Sequence, residues 1–342
     1  MFFVNREMEV QSAELLECMA AKQPTFFGTA ISQFAFEVLI FKASATHVAR
    51  TYEEREAAVH LVPLLPFLSS RAGTCNRKTH RDRLNVALRV VNQIPRNMPI
   101  VMTCTCVMQK ALFGDILEKM HAFSNIVQLS HSTRPYPRSV SSNVIVVPYF
   151  SQSQNSASCA NDGLIYWRGS PTVGNRNATR VRRHIMSYHM KDGFDVFGSD
   201  RTKCTDTNSL CINGFGAGRD QLAKKIMREN MSKHEFCLVP EGDSPESSRF
   251  ADAINGLCTP VVISTRIPVL HSNVWRDSII VIEPKTFLKL SAADVLRQVR
   301  AANISCKTRL QLRHETSANM ILHRLEELVN KSSFSHVQSV VG

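Results

Sequence analysis

The stretch from Phe236 to Ile254, FCLVPEGDSPESSRFADAI, gathers residue types that can hold a phosphorylated ligand. Its apolar opening, Phe236–Pro240, predicts a buried strand, and Gly242 lets the following backbone approach a ligand closely. Ser247 and Ser248 then open a helix. The free N–H groups and positive dipole end of such a helix face whatever sits above the strand's carboxyl end. Both serines add hydroxyl donors, and Arg249 adds a guanidinium that can grip two phosphate oxygens at once. Asp252, three residues on, can orient that arginine or accept hydrogen bonds from ribose hydroxyls. Together these residues fit a diphosphate and ribose site in an open α/β sheet. They fit equally a capped crossover helix with an exposed Arg–Asp pair, and on residue types alone both readings stand.

The surrounding chain supplies the elements such a site needs. A strand predicted at 260–263 completes a βαβ unit of about thirty residues, the size of a parallel crossover. Further strands are predicted at 57–65, 99–104, 143–147, 164–167, 194–197 and 279–282. Between them, 81–92 places Leu84, Ala87, Leu88 and Val91 at helical spacing. Helices are also expected at 111–123, 176–190, 220–231 and from Ala292, the last capped by Ser291 with Asp294 at the third position. Two more helices follow from about 307 to 331. Short apolar runs alternating with amphipathic ones indicate α/β architecture. The polar, Ser- and Asn-rich segment 151–162 reads as a linker. The expected organisation is therefore two α/β domains, 1–155 and 156–335.

Bulk properties narrow the partners. The chain has 342 residues, 44% hydrophobic and 20% charged, which is enough apolar material for a substantial core. A net charge of +12 favours polyanionic partners. Nucleic acid is disfavoured among them, because aromatic residues are 7% of the chain and do not interleave with the basic run at Arg176, Arg180, Arg182 and Arg183. No metal-ligand cluster is visible, so no metal is expected. Ten cysteines are too sparse for a disulfide scaffold. Cys237 and Cys258 read as small core residues, and Cys204 and Cys211 as a local pair or two free thiols. No run of eighteen apolar residues stands in the sequence, so no segment of it reads as a membrane span. Four N-x-S/T triplets, at Asn177, Asn230, Asn303 and Asn330, hint at a secretory route.

The segment FCLVPEGDSPESSRFADAINGLCTPVVIS also resembles the signature of the exostosin family of glycosyltransferases, roughly F-C-L-x-P-x-G-D-x-P-S-S-x-R-L-x-D-A-I-x-x-G-C-I-P-V-I. Phe236, Cys237, Leu238, Pro240, Gly242, Asp243, Pro245, Ser247, Arg249, Asp252, Ala253, Ile254, Cys258, Pro260 and Val261 match it. The likeness extends upstream through Trp167-Arg-Gly169 and Val181-Arg-Arg-His-Ile185 to Phe36-Glu37, Ala49-Arg-Thr-Tyr-Glu-Glu and Pro63, and downstream through Trp275 to Glu283. It implies a GT-B-like fold in which two Rossmann-like domains face a cleft. It further implies transfer of a sugar from a nucleoside-diphosphate donor, a UDP-sugar, to a hydroxyl of a glycan or glycoprotein acceptor. The implied donor-binding residues are Arg182, Gly242, Asp243, Ser247, Ser248, Arg249 and Asp252, with no metal or other cofactor. A Golgi location on an N-terminal membrane anchor is also implied, and no such anchor segment stands in this sequence. Departures from the pattern are Glu246, Leu257, Thr265 and a strand at 100–108 without the H-D-G-like end. The general base has no matched position; His47, Asp115, Glu118 and His121 are available groups. The alternative is a non-catalytic glycan-binding or scaffold protein on the same fold.

Overall fold

The computed structural model describes residues 1–22, 36–103, 113, 119, 126–130, 143–146, 158–172, 176–198, 226–242, 247–264, 277–327 and 329. Packing divides the chain into two units: Met1–Phe27, Phe34–Val147 and Thr316–Gly342 form the first, Gly28–Gln33 and Pro148–Glu315 the second.

The first unit is built on β1 (Phe2–Val4), β2 (Arg50–Thr51), β3 (Val59–Val62), β4 (Ile100–Thr103), β5 (Ile126–Ser130) and β6 (Asn143–Val146). They pair in the order β2-β1-β3-β4-β5-β6, every pair parallel. Its helices are α1 (Arg6–Lys22), α2 (Phe36–Thr46), α3 (Pro66–Ala72) and α4 (His80–Gln93). Val59–Val62 and Ile100–Thr103 are buried throughout, as strands covered by helices on both faces must be. Pro63 follows β3, and Pro66 then starts α3 at a first-turn position that needs no N–H. Buried Arg83 on α4 locks the α3–α4 connection by donating to the Ser69 hydroxyl and to the carbonyls of Ser69, Gly73 and Lys78.

The second unit holds β7 (Ile165–Gly169), β8 (Phe194–Gly198), β9 (Phe236–Pro240), β10 (Thr259–Ile263) and β11 (Ile280–Ile282). Its strand order is β11-β10-β9-β7-β8, again all parallel. Its helices are α5 (Arg176–Met186), a helix at 226–231, α6 (Ser248–Asn255), α7 (Pro284–Phe287), α8 (Ala292–Ala301) and α9 (Cys306–Glu315). Alternation along the strands splits the core in two. Trp167, Leu238 and Val261 pack with Val181, Phe287 and Val295 on one face, while Tyr166, Cys237 and Val262 pack with Phe250, Ile254 and Leu312 on the other. The predicted capping box of α8 forms, with Ser291 and Asp294 each bonding the other's backbone N–H.

The expected α/β class with two parallel-sheet units is the one observed. The chain crosses between units near 147 and again near 315, and α10 (Ala318–His323) packs against α2 of the first unit. The basic helix expected to reach 190 ends as α5 at Met186, and Met190 adopts a left-handed φ of 62°. One reading is corrected. Cys237 and Cys258 are not unpaired core thiols but a disulfide joining β9 to the residue before β10. Cys18–Cys75 and Cys159–Cys306 are bonded as well. The partners are 21, 57 and 147 residues apart, spacings that carry no local signal. The segments 104–112, 202–218 and 265–276, with Cys204, Cys211, Thr265 and Trp275, lie outside the described residues, as does most of the predicted helix 111–123.

Candidate functional site

In the second sheet the chain runs from β7 out to β8 and then returns to place β9 on β7's other side. Such a reversal point, at the carboxyl ends of β7 and β9, is the position where open α/β sheets take ligands. All the sequence-predicted donor-binding residues except Asp243 fall among the described residues.

β9 is fully buried and its end is followed by Glu241 and half-buried Gly242. After the segment 243–246, Ser247 caps α6, its hydroxyl accepting the Arg249 N–H at 3.4 Å. Ser248 is the first residue of the helix. The connection 241–247 thus leads from the end of β9 to the start of α6, whose first-turn N–H groups have no partner further back in the helix. Asp243 and Glu246 lie outside the described residues.

Asp252 is 7% exposed and sits between two cations. Arg249 Nη1 donates to its Oδ2 at 3.2 Å, and Arg228 Nε, from the helix at 226–231, donates to its Oδ1 at 3.4 Å. Of the two roles open to Asp252, the geometry matches orientation of Arg249. A buried carboxylate is tolerable only with such partners, and the trio of Arg249, Arg228 and Asp252 taken by itself holds two cations and one acid. Both arginines stay partly exposed, at 27% and 18% of their side chains. The cationic character reaches Tyr166 on β7, whose hydroxyl is pushed up by burial while the Arg168 and Arg249 charges oppose that rise.

Arg182 projects from the buried face of α5 and is 8% exposed. Its Nε and Nη2 donate to the Glu241 carbonyl at 3.1 and 2.8 Å, and its Nη1 to the Ser170 carbonyl at 3.1 Å. It ties together the chain leaving β7 and the chain leaving β9. The Glu241 carboxylate reaches the other way and accepts from the Ser264 hydroxyl at 2.7 Å, just past β10. The chain ends leaving β7, β9 and β10, neighbours in the sheet, are thus tied to one another through Glu241. The Cys237–Cys258 disulfide closes the opposite end of the same βαβ unit.

Arg228, Glu241 and Ser264 escape a reading of the sequence because they meet the motif only in space. Arg228 lies 24 residues from Asp252 and Ser264 lies 23 from Glu241. Among the candidate bases, His47 has both ring nitrogens engaged: Nδ1 accepts the Ala49 N–H at 3.1 Å and Nε2 bonds the Asn319 carbonyl at 3.0 Å. Asp115, Glu118 and His121 lie outside the described residues. In the first unit a different acid draws notice. Glu37 is 1% exposed and accepts the Leu68 N–H at 2.7 Å and the Phe67 N–H at 3.4 Å, at the start of α3. Burial pushes its carboxyl up to about 8, against the opposing pull of those two N–H groups. Among the described residues no three His, Cys, Asp or Glu side chains gather as a metal set, and no helix is long and apolar enough to cross a membrane.

Comparison with known proteins bears on this geometry. Residues 107–298, more than half of the chain, match the exostosin GT47 domain. A probable glucuronoxylan glucuronosyltransferase from Arabidopsis thaliana, IRX7, is 25% identical over 306 residues. That alignment covers 80% of this chain, and the chain spans 62% of the relative's length. A crystal structure of TarM overlaps at 12% identity with a TM-score of 0.33, covering 75% of this chain and 60% of that one.

Proposed function

Because the chain belongs to the exostosin GT47 family of glycosyltransferases, we propose that it transfers a sugar from a nucleoside-diphosphate donor to a hydroxyl of a glycan or glycoprotein acceptor. The donor is a UDP-sugar held by the second unit at the carboxyl ends of β7, β9 and β10, and the acceptor is positioned by the first unit. The observation that supports this reading best is the cationic pair Arg249–Arg228 on buried Asp252, beside the start of α6 at the sheet's reversal point. In the reaction the bond from the anomeric carbon to the diphosphate oxygen breaks, the diphosphate leaving with the electron pair, while a bond to the acceptor oxygen forms and the acceptor hydroxyl loses its proton. The charge that develops on the departing diphosphate is met by the N–H groups opening α6 and by Arg249. Arg182 and Glu241 hold the loop that presents those groups. Asp243 would join the same loop. No metal is required where fixed cations and a helix terminus stand at the leaving group. The three disulfides among the described residues fit a site of action in an oxidising lumen, the Golgi lumen in this reading.

A thermal-shift screen of nucleotides and nucleotide sugars tests the proposal, since a ligand that binds only the folded chain raises its stability. UDP and at least one UDP-sugar should raise the midpoint; UDP-glucuronic acid is the first to try, given the description of the Arabidopsis relative. No shift with any nucleoside diphosphate would refute it. One observation favours the second reading, a glycan-binding scaffold: His47, the candidate base within the described residues, is engaged at both ring nitrogens. Donor hydrolysis separates the two, because a scaffold binds without turnover.

A further inference from the structure

The N-x-S/T triplets at Asn177, Asn230 and Asn303 are equivalent in sequence but not in the fold. Asn230 sits within the helix at 226–231, half-buried, with its side chain against the buried Tyr166 hydroxyl and its carbonyl accepting from His234 Nδ1 at 2.6 Å. A bulky substituent on that amide would have to displace the packing around Tyr166. Asn177 is exposed but stands in the first turn of α5. There its partner Thr179, two positions on, points away around the helix. Asn330 lies outside the described residues.

Asn303 differs from Asn230 and Asn177. It follows α8 in a left-handed conformation, φ 44°, which asparagine tolerates at a helix end, and its N–H closes the turn on the Arg300 carbonyl. The burial pattern then alternates: Asn303 exposed, Ile304 8% exposed and anchored in the core, Ser305 exposed. The amide and the hydroxyl of the triplet therefore both stand on the solvent side of one short connection. The next residue, Cys306, is bonded to Cys159, so the same connection matures where disulfides form.

We propose that Asn303 is the acceptor of an N-linked glycan and that Asn230 is not. In the transfer, Nδ2 of Asn303 bonds the anomeric carbon of an oligosaccharide carried on a lipid diphosphate. The carbon–oxygen bond to that diphosphate breaks, the lipid diphosphate leaves with the electron pair, and one amide proton is lost; nothing is oxidised or reduced. The glycan would mark the exposed α8–α9 connection, away from the Arg249 site on α6. This modification is independent of whether the chain transfers sugars itself.

The test is to produce the full chain behind a cleavable secretion signal in eukaryotic cells and digest it with peptide N-glycosidase F in ¹⁸O water. The tryptic peptide Ala301–Lys307 should carry the label at Asn303, and the peptide Glu229–Lys233 should not. Asn303→Gln should remove one glycan-sized step on a gel, with a small fall in the thermal midpoint because glutamine fits the left-handed turn less well than asparagine. That substitution is preferable to Ser305→Ala, because the Ser305 hydroxyl also accepts the Thr308 N–H that opens α9. Unlabelled Ala301–Lys307 from folded, disulfide-bonded protein would overturn the proposal. So would label at Asn230, or a chain that fails to form its disulfides in the lumen.

Discussion

β3 leaves the first sheet at Val62 and turns through 63–65 into α3, while β9 leaves the second at Pro240 and leads through 241–247 into α6. Both turns deliver a helix N-terminus to the carboxyl edge of a parallel sheet, where unpaired N–H groups favour negative charge. In the first, the protein meets those groups itself: the Glu37 carboxyl accepts from Phe67 and Leu68 and is almost completely buried. In the second, the helix is capped by a neutral serine and flanked by Arg249 and Arg228, both partly exposed. The acid that balances the cations, Asp252, stands a full turn inside the helix, not at its start. One turn is sealed from within by a buried acid, and the other sets two partly exposed guanidiniums against one buried carboxylate. The same supersecondary unit thus yields a brace in one place and a candidate anion site in the other, according to where the carboxylate is put.

The largest expected effect comes from Arg182, which holds the open turn in shape. Arg182→Ala should remove the donors of two carbonyls at strand ends and cost about 4 kcal/mol of stability, read by denaturant unfolding. UDP affinity should fall with it, because the loop that follows β9 loses its anchor. A variant as stable as wild type would mean that Ser264 and Glu241 hold the loop unaided.

Arg249→Ala should leave the fold intact and weaken UDP binding by about 2–4 kcal/mol, thirtyfold or more by calorimetry. Arg249→Lys should restore affinity only in part, since an ammonium lacks the planar fork. Wild-type affinity in the alanine variant, or its unfolding, would make the Arg249–Asp252 pair a structural brace and erase the contrast with the first unit.

The sealed turn has its own signature in pH. The Glu37 carboxyl is raised from 4.5 to about 8 in the folded chain. The folded state therefore holds a proton that the unfolded state has already lost between those values, so the Glu37 contribution is full below about 4.5 and is lost as pH rises through about 8. The slope should be at most about 1.4 kcal/mol per pH unit. Glu37→Gln keeps a hydrogen-bond acceptor and removes the titration, so its stability should vary less across that window, with UDP binding unchanged. An identical pH profile in wild type and Glu37→Gln would show that Glu37 titrates normally.

The smallest effect concerns the second cation. Without Arg228, Asp252 keeps its bond to Arg249, and one of the two guanidiniums of the trio is gone. Arg228→Ala should therefore weaken UDP about fivefold, roughly 1 kcal/mol, with the loss reduced at high salt. No loss at low ionic strength would remove Arg228 from the site.

What could be foreseen from sequence follows from how local each feature is. Phe236–Pro240, Ser247 and the Arg249–Asp252 pair sit within one short stretch, and hydrophobic run, cap and i, i+3 spacing announce them directly. The role of Arg182 could be approached only through family likeness. That its guanidinium grips the Ser170 and Glu241 carbonyls depends on three elements meeting in space. Arg228, Ser264 and the cysteine partners join residues from far along the chain, and nothing in their immediate neighbours singles them out. β1, three residues at the very start, is too short to show a period, yet it sits between β2 and β3 in the first sheet. The return of α10 to the first unit was equally invisible, because helical spacing says which face is apolar but not which partner covers it.

Amide hydrogen exchange on the full chain with and without saturating UDP tests the central claim most directly. Bound diphosphate on the open turn should slow exchange in peptides covering 236–255 and leave those covering 59–72, the sealed turn, unchanged. Protection at 59–72 without protection at 236–255 would place the nucleotide in the first unit and contradict the account.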